Sequence, residues 1–190
     1  QAKAIGNQAT ALGANSEAKG VNALAGGYQS QALGNNAVAL GSESKATQEG
    51  TSAIGYKAEA SGVKATALGQ EARANQEGSL AAGSHSLADG KYSTAQGYQA
   101  KAIGNQATAL GANSEAKGVN ALAGGYQSQA LGNNAVALGS ESKATQEGTS
   151  AIGYKAEASG VKATALGQEA RANQEGSLAA GSHSLADGKY

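Results

Sequence analysis

The chain contains no cysteine, methionine, phenylalanine or tryptophan, and tyrosine is its only aromatic residue. Without cysteine, disulfides, thiol nucleophiles and thiolate metal sites are excluded. Leucine, isoleucine and valine together number 24 against 45 alanines, so an ordinary core of large side chains cannot form. No apolar run approaches the roughly 18 residues of a membrane helix, and no stretch has the pattern of a signal peptide. We expect no direct membrane contact from this segment.

An excess of charge of either sign is also lacking, because 14 basic residues balance 14 acidic ones. Polyanion binding is therefore disfavoured, and we expect no nucleic-acid partner. No histidine or aspartate cluster has metal-ligand spacing, and the glycine-rich stretches lack the Lys-Ser/Thr of a phosphate loop. The serines have no accompanying histidine and acid that persist through the chain. We predict a protein that is not an enzyme and needs no cofactor or metal.

What the sequence has is repetition on two scales. Residues 1–92 recur unchanged as residues 99–190, which defines repeat units 1–98 and 99–190, the second incomplete. Within them lies a 14-residue row that starts at Ala4, with alanine always at positions one and eight and glycine always at position ten. The position-ten glycines of the first unit are Gly13, Gly27, Gly41, Gly55, Gly69, Gly83 and Gly97. We predict one continuous segment of repeats over 1–190.

The 14-residue row predicts β-structure and not a coiled coil. The heptad positions lack leucine and isoleucine, and each glycine would cost a helix about 1 kcal/mol. Positions six to ten alternate small and variable residues, which is a strand pattern. We predict an all-β, parallel β-roll or solenoid of 14-residue coils, each with two short strands and a thin interior of small side chains. The position-ten glycine would form a corner that needs positive φ or close backbone approach, and the scarce large apolar residues would serve contacts between chains.

Charges support this stacking, because six of them alternate in sign along two positions of three consecutive rows. Parallel stacking would place equivalent residues about 4.8 Å apart, and such exposed pairs each contribute only about 0.2–1 kcal/mol. We predict that they define the register between rows, and a randomly mixed solvated surface is the alternative. The residues are Glu43, Lys57 and Glu71 at position twelve, and Lys45, Glu59 and Arg73 at position fourteen.

The row pattern A-x-G-x-x-A-x-A-x-G resembles the head repeat of trimeric autotransporter adhesins, the YadA-like surface proteins of Gram-negative bacteria. The resemblance spans essentially the whole chain. It implies a left-handed parallel β-roll, a homotrimer with three chains side by side, and a rigid extracellular rod on the bacterial cell surface, with its outer-membrane anchor outside this segment. The implied function is attachment to host matrix, cells, surfaces or other bacteria, with an extracellular-matrix or host-cell surface protein as partner.

Collagen-binding heads of that family repeat the motif N-S-V-A-I-G-x-x-S. The nearest match here retains Asn15, Ser16, Ala18 and Gly20. Glu17 and Lys19 replace the two apolar residues of the motif, and this departure argues against a collagen ligand.

The candidate surface-binding residues are the tyrosines that follow the invariant glycine, at position eleven: Tyr28, Tyr56, Tyr98, Tyr126 and Tyr154. Tyrosine is enriched at recognition surfaces because it offers a large area at low entropic cost; packing at the corner or between chains is the alternative. Tyr92 and Tyr190 lie at another position and are expected to be structural, and His85 and His183 to be solvent-exposed.

Two other functions remain as hypotheses. A purely structural extracellular filament or spacer would have the same repeats but no dedicated ligand, and saturable binding would distinguish it from an adhesin. Ice binding would need a flat array of Thr-x-Thr rows, whereas Thr10, Thr66 and Thr94 are scattered.

Overall fold

The computed structural model describes residues 1–188, in which two compact units are distinguished, Gln1–Ala95 and a second that begins at Gln96. Throughout this range the regular elements are all short β-strands. None of the described residues forms a helix with the length and apolar character needed to cross a membrane.

In the first unit, strands of two residues alternate with strands of three, and each 14-residue row supplies one of each kind. In chain order they are β1 Lys3–Ala4, β2 Thr10–Leu12, β3 Glu17–Ala18, β4 Leu24–Gly26, β5 Gln31–Ala32, β6 Val38–Leu40, β7 Lys45–Ala46, β8 Ser52–Ile54, β9 Glu59–Ala60, β10 Thr66–Leu68, β11 Arg73–Ala74, β12 Leu80–Ala82 and β13 Leu87–Ala88, followed by β14 Thr94–Gln96 at the unit boundary.

The second unit has the same alternation of two-residue and three-residue strands. They are β15 Lys101–Ala102, β16 Thr108–Leu110, β17 Glu115–Ala116, β18 Leu122–Gly124, β19 Gln129–Ala130, β20 Val136–Leu138, β21 Lys143–Ala144, β22 Ser150–Ile152, β23 Glu157–Ala158, β24 Thr164–Leu166, β25 Arg171–Ala172, β26 Leu178–Ala180 and β27 Leu185–Ala186.

Each unit is built from two parallel sheets. In the first unit, the two-residue strands pair in order from β1 to β13, and the three-residue strands pair in order from β2 to β12. The partners are always 14 residues apart, so that Ala18 lies opposite Ala32 and Ala25 opposite Ala39. The second unit repeats this arrangement, with Ala116 opposite Ala130. The predicted all-β parallel solenoid, with one 14-residue row per turn, is confirmed within each unit.

The interior of each turn is filled by side chains no larger than threonine. Alanine at positions one and eight is fully buried in the inner turns, as at Ala60 and Ala67. Among the described residues, the largest side chains that are fully buried are Thr51 and Thr149, followed by serines. Because two strands of a turn face each other across a narrow gap, only short side chains fit between them, and the predicted thin interior is confirmed.

Both corners of a turn use the same backbone geometry. At one corner the N–H of Ser16 donates to the carbonyl of Gly13 (3.3 Å), and at the other the N–H of Ala23 donates to Gly20 (3.2 Å). The third residue of each corner has positive φ, 58° at Asn15 and 55° at Asn22, a conformation that type II turns also require at their third residue. These corner residues occupy positions twelve and five of the row.

Hydroxyl groups complete the hydrogen bonding of the buried corners. The Ser16 Oγ donates to the carbonyl of Gly13 (2.9 Å), and the Thr51 Oγ1 donates to the carbonyl of Gln48 (2.7 Å). Within residues 1–188, no buried side-chain nitrogen or oxygen lacks a hydrogen-bond partner. The small polar side chains inside the turns are therefore fully satisfied, as their burial requires.

Candidate binding surfaces

Position-eleven tyrosines lie at an outer corner, directly after the position-ten glycines, whose φ values run from 119° at Gly181 to 136° at Gly83. In the first unit, Tyr28 is 51% exposed and Tyr56 is 42% exposed. Their equivalents in the second unit, Tyr126 and Tyr154, and the additional Tyr98 are exposed to the same degree. Two turns separate Tyr28 from Tyr56, which corresponds to about 10 Å at the spacing of paired strands. The rings are therefore accessible to a ligand.

Lys57 connects the tyrosine at position eleven with the charges at position twelve. Its Nζ lies 5.0 Å from the centre of the Tyr56 ring and 3.8 Å from a carboxylate oxygen of Glu43. A hydrogen bond to the Tyr56 side chain, followed by the attraction of Glu43, raises the pKa of Lys57 above its ordinary value. Lys155 has the same contacts to Tyr154 and Glu141 in the second unit. The sequence analysis did not predict this contact, because it depends on the direction of the two side chains.

The side chains at positions twelve and fourteen form the two edges of an open polar groove. In the second unit the groove has a volume of about 570 Å³, and its lining residues are Asn113, Gln127, Gln129, Glu141, Lys143, Lys155, Ala156, Glu157 and Arg171. In the first unit a corresponding groove of about 440 Å³ is lined by Asn15, Gln29, Gln31, Glu43 and Lys45. The strand register places Glu59 between Lys45 and Arg73. Over the three turns that contain Glu43, Lys57 and Glu71, the positive and negative side chains of positions twelve and fourteen cancel, so the groove carries charges of both signs but no net charge.

The outer face of the three-residue strands has a different chemistry. Its side chains come from positions seven and nine, where no row carries a charged residue. Ile54 and Leu68 on this face are 40% and 38% exposed, and Leu166 in the second unit is 48% exposed. A sheet face that leaves such apolar side chains partly exposed is typical of an interaction surface.

The 14-residue turns match a known family along nearly the entire chain. The model of the YadA head domain repeat matches residues 4–30, 18–44, 32–58, 60–86, 88–114, 116–142, 132–156, 144–168 and 158–184. The chain belongs to this family. The resemblance inferred from the row pattern is thereby confirmed.

The chain is also similar to a solved structure. The collagen-binding domain of the Yersinia adhesin YadA is 24% identical to the chain, with a TM-score of 0.31, over 92% of this chain and 72% of that one. No curated protein sequence matches the chain.

The collagen-type motif in these YadA head repeats consists mainly of inward-facing residues. Ser16 and Ala18 are buried, and the backbone of Gly20 packs closely against the next turn at Gly34. Of the four retained motif residues, only Asn15 is exposed. At the two substituted positions, the Lys19 Nζ and a Glu17 carboxylate oxygen are 3.2 Å apart. Three of the four retained residues therefore serve the interior of the turn and are not presented to a ligand.

Of the remaining sequence-predicted residues, Tyr92 lies at the other corner of its turn, at position five, and the histidines lie at position twelve, next to the tyrosine position. The exposed Tyr92 hydroxyl donates a 2.7 Å hydrogen bond to Glu77, which raises the pKa of Tyr92 above its ordinary value. His85 is exposed, with its Nδ1 3.3 Å from a Glu71 carboxylate oxygen, and His183 has the same contact with Glu169. Tyr190 lies outside the described residues. In residues 1–188 no cluster of three or more histidine, aspartate or glutamate side chains could hold a metal ion.

Proposed function

We propose that the chain is the head segment of a non-enzymatic bacterial adhesin that is displayed outside the cell and attaches it to a protein of the host matrix or host-cell surface. The family match over nearly the whole chain carries this proposal. The exposed position-eleven tyrosines support it, because they offer repeated aromatic contact points on a rigid scaffold. The tyrosines would bind the ligand, and the stacked turns would hold them at a fixed spacing.

The assembly that we propose is a homotrimer in which the apolar face at positions seven and nine forms the contact between chains. The support is chemical: the interior of a turn buries mainly alanine, whereas seven of the twelve leucine, isoleucine and valine residues of repeat unit 1–98 lie on one uncharged outer face, at positions seven and nine. Burying that face between chains would add apolar contact area that the single turn lacks. Three parallel chains would then present their tyrosine corners outward around a rod.

Light scattering after size exclusion tests the assembly. We expect a mass of three times 18.4 kDa, and we expect Leu68→Lys together with Leu166→Lys to reduce it to that of a monomer, because buried unpaired charges are costly. Leu33→Lys with Leu131→Lys is the matched control, since it adds the same charge at position two, where Lys19 already stands. A folded wild-type monomer, or equal loss of mass in both variants, would contradict the proposed contact.

Binding to immobilised matrix and host-surface proteins tests the function. We expect saturable binding to at least one of them, and a dissociation constant raised about tenfold or more when all five position-eleven tyrosines are replaced with alanine. Tyr92→Ala is the control, because that tyrosine is equally exposed but lies at another corner. Retained binding in the five-fold variant would contradict the role of the position-eleven tyrosines.

A structural spacer is the second candidate function. The collagen-type motif supports it, because its retained serine, alanine and glycine are buried and its two variable positions are occupied by an ion pair. If no tested protein binds saturably while the assembly has the expected mass, this second function is favoured.

A further inference from the structure

The signs of the charges across the polar groove follow a simple rule. In each of three consecutive turns, positions twelve and fourteen carry opposite charges, and the signs are reversed in the next turn. The turn that contains Glu43 has Lys45 on the other edge, and the turn that contains Lys57 has Glu59. The third turn has Glu71 and Arg73, and the second unit repeats the block with Glu141, Lys143, Lys155, Glu157, Glu169 and Arg171.

Apart from Glu71, which lies 3.3 Å from the Nδ1 of His85, these charges are only weakly paired within the chain. Lys57 and Glu43 are 3.8 Å apart, at the long end for an ion pair. In the described part of the chain, Lys45, Glu59 and Arg73 at position fourteen have no oppositely charged partner within 4.0 Å. Both edges of the groove therefore present charges that can still interact with a partner.

The spacing of the charges restricts the kind of partner. Along the stacking direction they recur about every 4.8 Å, which is the distance between paired strands. An extended peptide presents side chains to one side about every 6.6–6.8 Å and is out of step within three turns, whereas an α-helix, which repeats about every 5.4 Å, drifts by about 0.6 Å with each further turn. A second stack of β-turns has the same repeat and stays in step over any number of turns.

We propose that the groove edges are a lateral contact surface for a second copy of the chain, aligned parallel and in the same register. A two-fold axis along the stacking direction would bring position twelve of one copy opposite position fourteen of the other. Glu43 would then oppose Lys45 of the second copy, and Lys57 would oppose Glu59. Each three-turn block forms six such contacts, all of opposite sign. An antiparallel arrangement instead brings position twelve of one copy opposite position twelve of the other. Like charges then face each other unless one copy is shifted by one turn along the stack.

This contact is separate from the apolar face and goes beyond the proposed function. It would bring neighbouring heads together side by side, whereas the apolar face would hold the chains within one head. Exposed ion pairs are individually weak and screened by salt, so this association is expected to be reversible. It should be at least about tenfold stronger at 10 mM than at 300 mM ionic strength, since the Debye length shrinks from about 30 Å to less than 8 Å.

Two charge-exchange variants of the full chain test the proposal. The position-twelve variant carries Glu43→Lys, Lys57→Glu, Glu141→Lys and Lys155→Glu; the position-fourteen variant carries Lys45→Glu, Glu59→Lys, Lys143→Glu and Glu157→Lys. Each exchange leaves the net charge at zero and creates three like-charged pairs per block within the chain, one between neighbouring turns and two across the groove. Glu43 and Lys57 already have φ of 59° and 53°, so their exchange adds no new backbone demand.

Sedimentation velocity at low ionic strength measures the outcome. We expect the association constant of each variant alone to fall about tenfold to a hundredfold, because eight contacts become repulsive. A mixture of the two variants should associate within about threefold of wild type, since its opposing edges are complementary again. The mass at high ionic strength reports separately on the assembly through the apolar face.

Three results would overturn this inference. They are a wild-type chain that shows no salt-sensitive association, a mixture that associates no better than its components, and a position-twelve variant that associates as strongly as wild type. The last result is expected for an antiparallel contact, because exchanging both signs on the same position preserves its complementarity. Circular dichroism of both variants confirms that the strands remain intact.

Discussion

Replacing Gly27 with alanine, together with its copy Gly125, is expected to lower the free energy of unfolding by about 3 kcal/mol or more at each site. Gly27 has a φ of 131°, a conformation that costs an L-residue about 1–3 kcal/mol. An added Cβ would also lie 2.6 Å from the carbonyl oxygen of Gly41 and 2.7 Å from its carbonyl carbon. Those atoms belong to the backbone of the next turn, which cannot move without stretching the hydrogen bonds between turns.

A second corner glycine provides the control for Gly27. Gly50 has a φ of 67°, and its Cβ would lie 3.4 Å from the flexible Lys64 side chain. Asn36 occupies the same row position one turn earlier with a φ of 55°. We expect Gly50→Asn with Gly148→Asn to change stability by less than about 1 kcal/mol, because asparagine tolerates this conformation. Urea denaturation compares the two pairs, and similar losses would show that backbone contact between turns is not the limiting factor.

Replacing Ala53 with leucine, together with Ala151, is expected to cost about 3 kcal/mol or more at each site. Ala53 is fully buried and pairs with Ala39 and Ala67 in the neighbouring turns. Overpacking a core usually costs about 1–3 kcal/mol, but here the opposite wall is another strand of the same turn. Separating the two strands would break the ladders to both neighbouring turns, and in a solenoid those neighbours supply most of the stabilising contacts.

The adjacent residue is a matched control for Ala53. Ser52 lies on the outer face at position seven, between Val38 and Thr66 in the register. Leucine already occupies position seven at Leu24 and Leu80. Because position seven belongs to the proposed contact between chains, which already accommodates leucine, we expect Ser52→Leu with Ser150→Leu to alter stability by about 1 kcal/mol or less in thermal unfolding. If the two leucine pairs destabilise equally, the thin interior does not restrict side-chain size in the way proposed.

The strand pairing and the interior could be predicted from the sequence because both depend directly on the period. In a repeat of 14 residues with alanine at positions one and eight, the glycine at position ten distinguishes a shift of 14 residues from one of seven, and the structure has the 14-residue shift at Ala25 and Ala39. Side-chain size then predicts the interior, since only alanine, serine, threonine and glycine recur at the inward positions. Periodicity and volume were sufficient for these two features.

The positive φ at the third residue of each corner was not predicted. The invariant glycine at position ten predicted positive φ at that position. Position twelve also has positive φ, although its residues include Glu43, Lys57 and His85. Long polar side chains give no sequence signal for this conformation, because they adopt it only when hydrogen bonds between turns hold the backbone. The alternation of charge was visible in the sequence, whereas the position of Lys57 over the Tyr56 ring depends on side-chain direction, which the row pattern does not specify.

The identical 14-residue shift between all paired strands also has a consequence for how such a protein can change its length. Removing or adding a whole row leaves alanine opposite alanine in the remaining turns, as at Ala60 and Ala74, and alters the stack by about 4.8 Å. Removing 13 residues would instead leave one row of 15 residues at the junction, where the pairing with the next turn is shifted by one residue and inward and outward side chains exchange places. Changes in length that keep every turn in register are therefore restricted to multiples of 14 residues, and they alter the stack in steps of one turn.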